Sequence, residues 1–150
     1  MKKLLVLIVI LYGQLFAQEQ ESTLKIYHQI FSDLLHKKQI NVYTGDRELL
    51  QIFERSKYLS PVIKPEVSDI VIVNSRQMYE KAMGRIASEK TSQKPIIFAT
   101  DYRLLKQYPD IVGALYWKKG RSQLLFLKPR LDKRGLHPPD AYTPYILEQI

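Results

Sequence analysis

The chain has 150 residues, a formal charge of +8 and no cysteine. That length suits one domain with its own core. The missing cysteines exclude a disulfide framework, an acylated lipoprotein N-terminus, cysteine-ligated zinc, haem attachment through cysteine and thiol chemistry.

The first residues carry an address. Lys2 and Lys3 precede an apolar run from Leu4 to Leu11, and after Leu15-Phe16-Ala17 the chain turns polar at Gln18-Glu19-Gln20-Glu21. A charged start, an apolar middle and a small residue at the cut form a secretory signal. The run is shorter than the ~20 residues that span a bilayer. Residues 1–17 are therefore expected to be removed after Ala17, leaving 18–150 as a periplasmic domain; retention as an N-terminal anchor is the alternative. The remaining charge of +6 makes anionic lipid headgroups or an acidic protein patch better partners than nucleic acid, which an exported protein seldom meets.

Apolar residues at Leu24, Tyr27, Ile30, Phe31, Leu34 and Leu35 predict an amphipathic helix, capped by Ser22-Thr23 and closed by Lys37-Lys38. Ile40–Tyr43 reads as a strand, and Asp46 as the N-cap of a helix burying Leu49, Leu50 and Phe53. An irregular passage holds Ser60-Pro61 and Lys64-Pro65. Asp69–Val73 is a strand buried on both faces. The next helix carries Met78, Tyr79, Ala82, Met83 and Ile86, and Pro95–Ala99 is a third central strand. Thr100-Asp101 caps a short helix that Tyr108-Pro109 ends. Ile111–Trp117 and Gln123–Leu127, bridged by Lys118-Lys119-Gly120-Arg121-Ser122, read as an antiparallel hairpin. A basic turn, Lys133-Arg134-Gly135, and Pro138-Pro139 lead to a closing helix over Tyr142–Ile150. Strands alternating with helices predict a single three-layer α/β domain with parallel central strands and a C-terminal antiparallel hairpin.

Ligands of parallel sheets gather beyond the carboxyl ends of the strands. Those ends hold Thr44, Asp46, Asn74, Arg76, Thr100, Asp101 and Arg103, a set suited to a small anionic or zwitterionic ligand. The same residue types are also what helix N-caps require. His28, His36 and His137 lack the spacing of metal ligands, since two histidines eight apart on a helix stand about 12 Å apart. Ser22-Thr23-Leu24-Lys25 has the serine-x-x-lysine string without its partner motifs. There is no Gly-rich phosphate loop. No catalytic set, metal site or cofactor is expected.

The hairpin is the most distinctive surface. Tyr116 and Trp117 run into Lys118, Lys119 and Arg121, and residues 118–134 hold seven basic residues against one acidic. Aromatics beside cations compose an interface anchor with a steering field. Edge-strand protection by lysine is the alternative.

From here the sequence resembles the YfiR-like family of small periplasmic regulators. The likeness lies in the signal peptide, the glycine-bearing strand Ile111–Leu115, the short hairpin Lys118–Arg121, the Phe-containing strand Leu124–Leu127, the turn Arg134-Gly135-Leu136 and the closing Tyr142–Ile150. Lys94–Asp101 also resembles that family's third strand. Lys128-Pro129 departs from it, where members carry asparagine. The resemblance implies a protein that binds the periplasmic domain of a membrane signalling protein, typically a cyclic-di-GMP synthase, and restrains it. A one-lobe solute-binding protein is the competing expectation.

Overall fold

The computed structural model describes residues 2–90 and 93–150, with side chains from residue 17 onward. The elements are α1 (Lys2–Leu35), β1 (Ile40–Thr44), α2 (Arg47–Phe53), β2 (Leu59–Pro61), β3 (Ile70–Val73), α3 (Arg76–Ser88), β4 (Ile96–Ala99), α4 (Tyr102–Gln107), β5 (Ile111–Lys118), β6 (Arg121–Leu127), α5 (Lys128–Lys133) and β7 (Ile146–Leu147). The strands form one sheet in the order β2-β1-β3-β4-β5-β6-β7. Every pairing is parallel except β5 with β6. The expected α/β domain with parallel central strands and a C-terminal antiparallel hairpin is what the chain forms.

Strand periodicity sorts the core into two layers. Ile70, Ile72, Ile96 and Phe98 face α1 and α2, meeting Phe31, Leu34, Leu49 and Phe53. Val71, Val73, Ile97 and Ala99 face α3 and α4, meeting Tyr79, Ala82, Ile86 and Leu105. All four residues of β3 and of β4 are buried, because helices cover both faces.

In β5 the alternation breaks. Ile97 pairs with Ile111 and Phe98 with Gly113, so Val112 is an unmatched bulge residue. Val112 thus turns toward the α1 layer, while Ile111 and Ala114 stay on the α3 layer. Gly113 follows the bulge where the Phe126 ring presses on the strand. A Cβ there would lie 2.5 Å from Phe126 Cδ1 and 2.7 Å from the Leu125 carbonyl oxygen. Only glycine leaves room.

The structure corrects four expectations. Helix α1 does not begin at Ser22-Thr23: it runs from Lys2, and these hydroxyls donate to the Gln18 and Glu19 carbonyls four residues back. A continuing helix leaves no free N–H groups there for a cap. The export signal itself rests on side chains that lie outside the described residues. Among the described residues no helix is long and apolar enough to cross a membrane.

Ser60-Pro61 belongs to a strand, not an irregular passage. β2 is an edge, where proline's missing N–H costs nothing. The basic turn is preceded by helix α5, started by Pro129 in its first turn and burying Leu131.

The closing segment is a 3₁₀ turn over Asp140–Tyr145 followed by β7, which extends the sheet beside β6. Pro144 inside the run denies an α-helix one donor and clashes with the preceding turn. Tyr142 fastens this segment: its ring is buried, and its hydroxyl donates to Asp33 Oδ2 at 2.6 Å. Burial first, then that carboxylate, pushes the phenol's ionisation up.

Candidate functional site

The strand-end residues are placed first by capping. Asp46 Oδ1 accepts from the Glu48 and Leu49 N–H groups, Ser75 Oγ from Met78 N–H, and Asp101 Oδ1 from Arg103 N–H. Thr44 Oγ1 accepts from Asp46 N–H at 3.1 Å. Strand order 2-1-3-4-5 puts the topological switch point between β1 and β3. There Asn74 Nδ2 donates to Asp46 Oδ2 at 3.0 Å, and Met78 packs against Gly45.

The two arginines do not join this cluster. Arg76 turns back along α3 to Glu80 at 2.8 Å, and Arg103 grips Asp101 through Nε and Nη2 at 3.1 to 2.7 Å. Hydrogen bonding from Arg103 holds the Asp101 carboxyl below its usual range, against the opposing effect of burial. Both guanidiniums satisfy a near neighbour instead of a shared ligand. The convergence expected of Thr44, Asp46, Asn74, Arg76, Thr100, Asp101 and Arg103 therefore reduces to Asp46 with Thr44 and Asn74. Asp46 and Thr100 also share a neighbouring space.

That space is a groove of about 450 Å³ on the α1 side of the sheet, between α1, α2 and the hairpin. Ile26, Leu49, Ile52 and Leu115 supply its apolar surface, with Trp117 on the hairpin side. Sequence reasoning missed it, since it needs α1 to extend above the sheet edge while β5 overshoots β4. The periodic stripe Glu19, Thr23, Ile26 along α1 was the available signal.

The hairpin is built tightly. Lys118 pairs with Arg121, and the two residues between them, Lys119 and Gly120, take φ of 50° and 73°. Positive φ at both positions is the two-residue turn whose twist matches paired strands. Alternation then sends Tyr116 toward α4, where its ring meets Tyr102 at 5.2 Å. Trp117 points to the other face and is 67% exposed. Lys118, Lys119 and Arg121 are exposed, and none takes part in an ion pair among the described residues.

The basic run after the hairpin has a different purpose. Arg130 Nη1 donates to the Tyr108 and Ile111 carbonyls at 2.9 and 2.7 Å, and Arg134 to the Pro95 and Lys94 carbonyls at 3.1 and 2.6 Å. Burial lowers the pKa of both guanidiniums. Lys128 pairs with Asp132 at 2.9 Å. These cations staple loops and helix α5, which leaves Lys118, Lys119 and Arg121 at the hairpin tip, with Lys133 at the end of α5, as the cations of this run outside such contacts among the described residues.

His28 stacks on Tyr58 with centroids 4.6 Å apart, His36 is the left-handed residue that ends α1, and His137 is exposed. Among the described residues no group of three or more His, Cys, Asp or Glu is placed to hold a metal ion.

Fold and surface together define a doubly wound α/β domain with an added hairpin, carrying a groove on one face. No family model matches the sequence, and no curated protein matches it. Among solved structures the chain is similar to a conserved domain protein from Vibrio cholerae O1 biovar El Tor strain N16961, at 12% identity and a TM-score of 0.53. The match covers 82% of this chain and 58% of that one, so it spans under two thirds of that protein. Likeness at this identity is a likeness of fold.

Proposed function

We propose that this chain is exported to the periplasm, with cleavage after Ala17, and acts there as a non-enzymatic regulatory module. Its partner would be the periplasmic domain of a membrane signalling protein, a cyclic-di-GMP synthase or a sensor kinase, as the YfiR-like resemblance implies. The observation that carries the reading is the hairpin tip. It holds a 67% exposed tryptophan on a rigid two-residue turn, beside three exposed cations without ion-pair partners among the described residues. Exposed tryptophan next to cations on a well-defined turn suits an anchor that an acidic surface would cover. Tyr116 supports it from behind through Tyr102.

The test is capture of solubilised membrane proteins on the tagged, exported chain, comparing wild type with Lys118→Ser/Lys119→Ser/Arg121→Ser. Exposed charge changes cost no more than about 0.5 kcal/mol, so thermal stability should hold. Partner capture should weaken, mainly through slower association, and lose salt dependence. Unchanged capture by the triple variant would reduce these residues to edge protection. Intact mass of the periplasmic fraction should give Gln18 as the first residue; full-length protein held in the membrane would favour the anchor.

A further inference from the structure

The groove carries a charge opposite to that of the chain. Its lining includes three carboxylates, Glu19 on α1, the α2 cap Asp46 and Glu48 in the first turn of α2, and no lysine or arginine. Asp46 accepts from the Glu48 and Leu49 backbone N–H groups and from the Asn74 side-chain amide. Its charge reaches the neighbouring Tyr27 phenol, whose pKa burial, and secondarily Asp46, push up.

Helix-dipole stabilisation accounts for Glu48. It does not account for a depression of about 450 Å³ beside Glu48, walled by apolar side chains and closed by an exposed indole. That volume falls in the range of small-molecule sites, roughly 300–1,000 Å³. Carboxylates around an apolar pocket with an aromatic face are the recognition elements of an ammonium group, through ion pairing and cation–π attraction. An anion would meet three like charges and no lysine or arginine in the lining.

We infer that this groove binds a small organic cation, an ammonium group on an apolar body. The body lies on Ile26, Ile52 and Leu115 beneath Trp117, and the ammonium faces Glu19 and Glu48. This reverses the sign of ligand that the strand-end residues suggest from sequence alone. It also places the ligand against the root of the hairpin, since Trp117 and Ser122 are a cross-strand pair that lines the groove.

Trp117 is the single tryptophan of the chain, so its emission reads the groove directly. Purified protein would be titrated with cyclohexylmethylammonium and, separately, with its uncharged isostere cyclohexylmethanol. The expected result is a saturable change in emission with the ammonium in the millimolar range, and binding of the alcohol at least about tenfold weaker. Glu19→Gln and Glu48→Gln alter exposed positions, so both should stay folded, with Glu48→Gln losing only its small helix-dipole contribution, while ammonium binding weakens several-fold. Equal responses to ammonium and alcohol would overturn the inference. So would the absence of saturation, or full affinity in both glutamine variants. Partner capture is not read in this titration, so neither outcome bears on the regulatory role.

Discussion

Replacing Gly113 by alanine tests how β5, β6 and the aromatic core are fitted together. The new methyl carbon would stand 2.5 and 2.9 Å from Phe126 Cδ1 and Cε1, and 2.7 Å from the Leu125 carbonyl oxygen. Ordinary contacts need about 1 Å more. The ring cannot swing aside freely, because Phe126 is fully buried between Phe98, with centroids 6.0 Å apart, and Tyr142, at 6.2 Å. The carbonyl belongs to the paired strand. Overpacking of this kind costs about 1–3 kcal/mol, and with a backbone atom involved the upper end applies. Alanine regains about 0.4–1 kcal/mol by restricting the unfolded chain, which leaves a net loss of roughly 2 kcal/mol. Against a total of about 5–15 kcal/mol, that should lower the urea midpoint clearly and the melting temperature by about 4–8 °C. A double-mutant cycle with Phe126→Leu identifies the cause, since the smaller side chain removes the clashing ring and the two losses should not add. Gly113→Ala within about 0.5 kcal/mol of wild type, or strict additivity with Phe126→Leu, would refute the packing argument.

Two further perturbations address the layers and their polar contacts. Val71 lies between Tyr43 and Ile97 in the sheet with no exposed surface, so Val71→Asp buries an unpaired carboxylate at a cost of several kcal/mol. Circular dichroism should show an unfolded or molten chain, and a native melting curve would mean that the α3 layer does not cover β3. Tyr79 is stacked on Tyr108 at 3.8 Å and donates to Asp110 at 3.0 Å; burial first, then that hydrogen bond, raises it to about 12. A phenol raised on folding contributes stability that is whole below its ordinary value near 10 and is lost as pH climbs from about 10 to 12. Tyr79→Phe should therefore flatten the fall in unfolding free energy across that window by up to one proton. Identical slopes in the two proteins would count against the Tyr79–Asp110 contact.

The sequence by itself determined what local chemistry can determine. The apolar run in Asp69–Val73 announced a strand covered on both faces and Pro95–Ala99 a third central strand, and the structure buries every residue of Ile70–Val73 and Ile96–Ala99. Asp46 and Asp101 announced helix starts through oxygens that reach the next N–H groups. The glycine-bearing linker Lys118–Ser122 between two β-rich runs announced a hairpin, which the structure tightens to a two-residue turn at Lys119 and Gly120, both at positive φ.

What only the tertiary structure decided is where side chains spend their charge. Arg76 and Arg103 looked like ligand arms until each closed on a carboxylate of its own element. Arg130 and Arg134 read as part of one basic surface, yet they serve carbonyls up to forty residues away in sequence. β2 and β7 were invisible because a short run holding proline, or one beside it, has no periodicity of its own. Each becomes a strand because a neighbouring edge offers its hydrogen bonds. The groove is the extreme case. Glu19, Glu48 and Trp117 are separated by as much as 98 residues of chain and share no local pattern. Packing α1 against the sheet brings them around one space, because helix and hairpin both extend past the ends of the parallel strands.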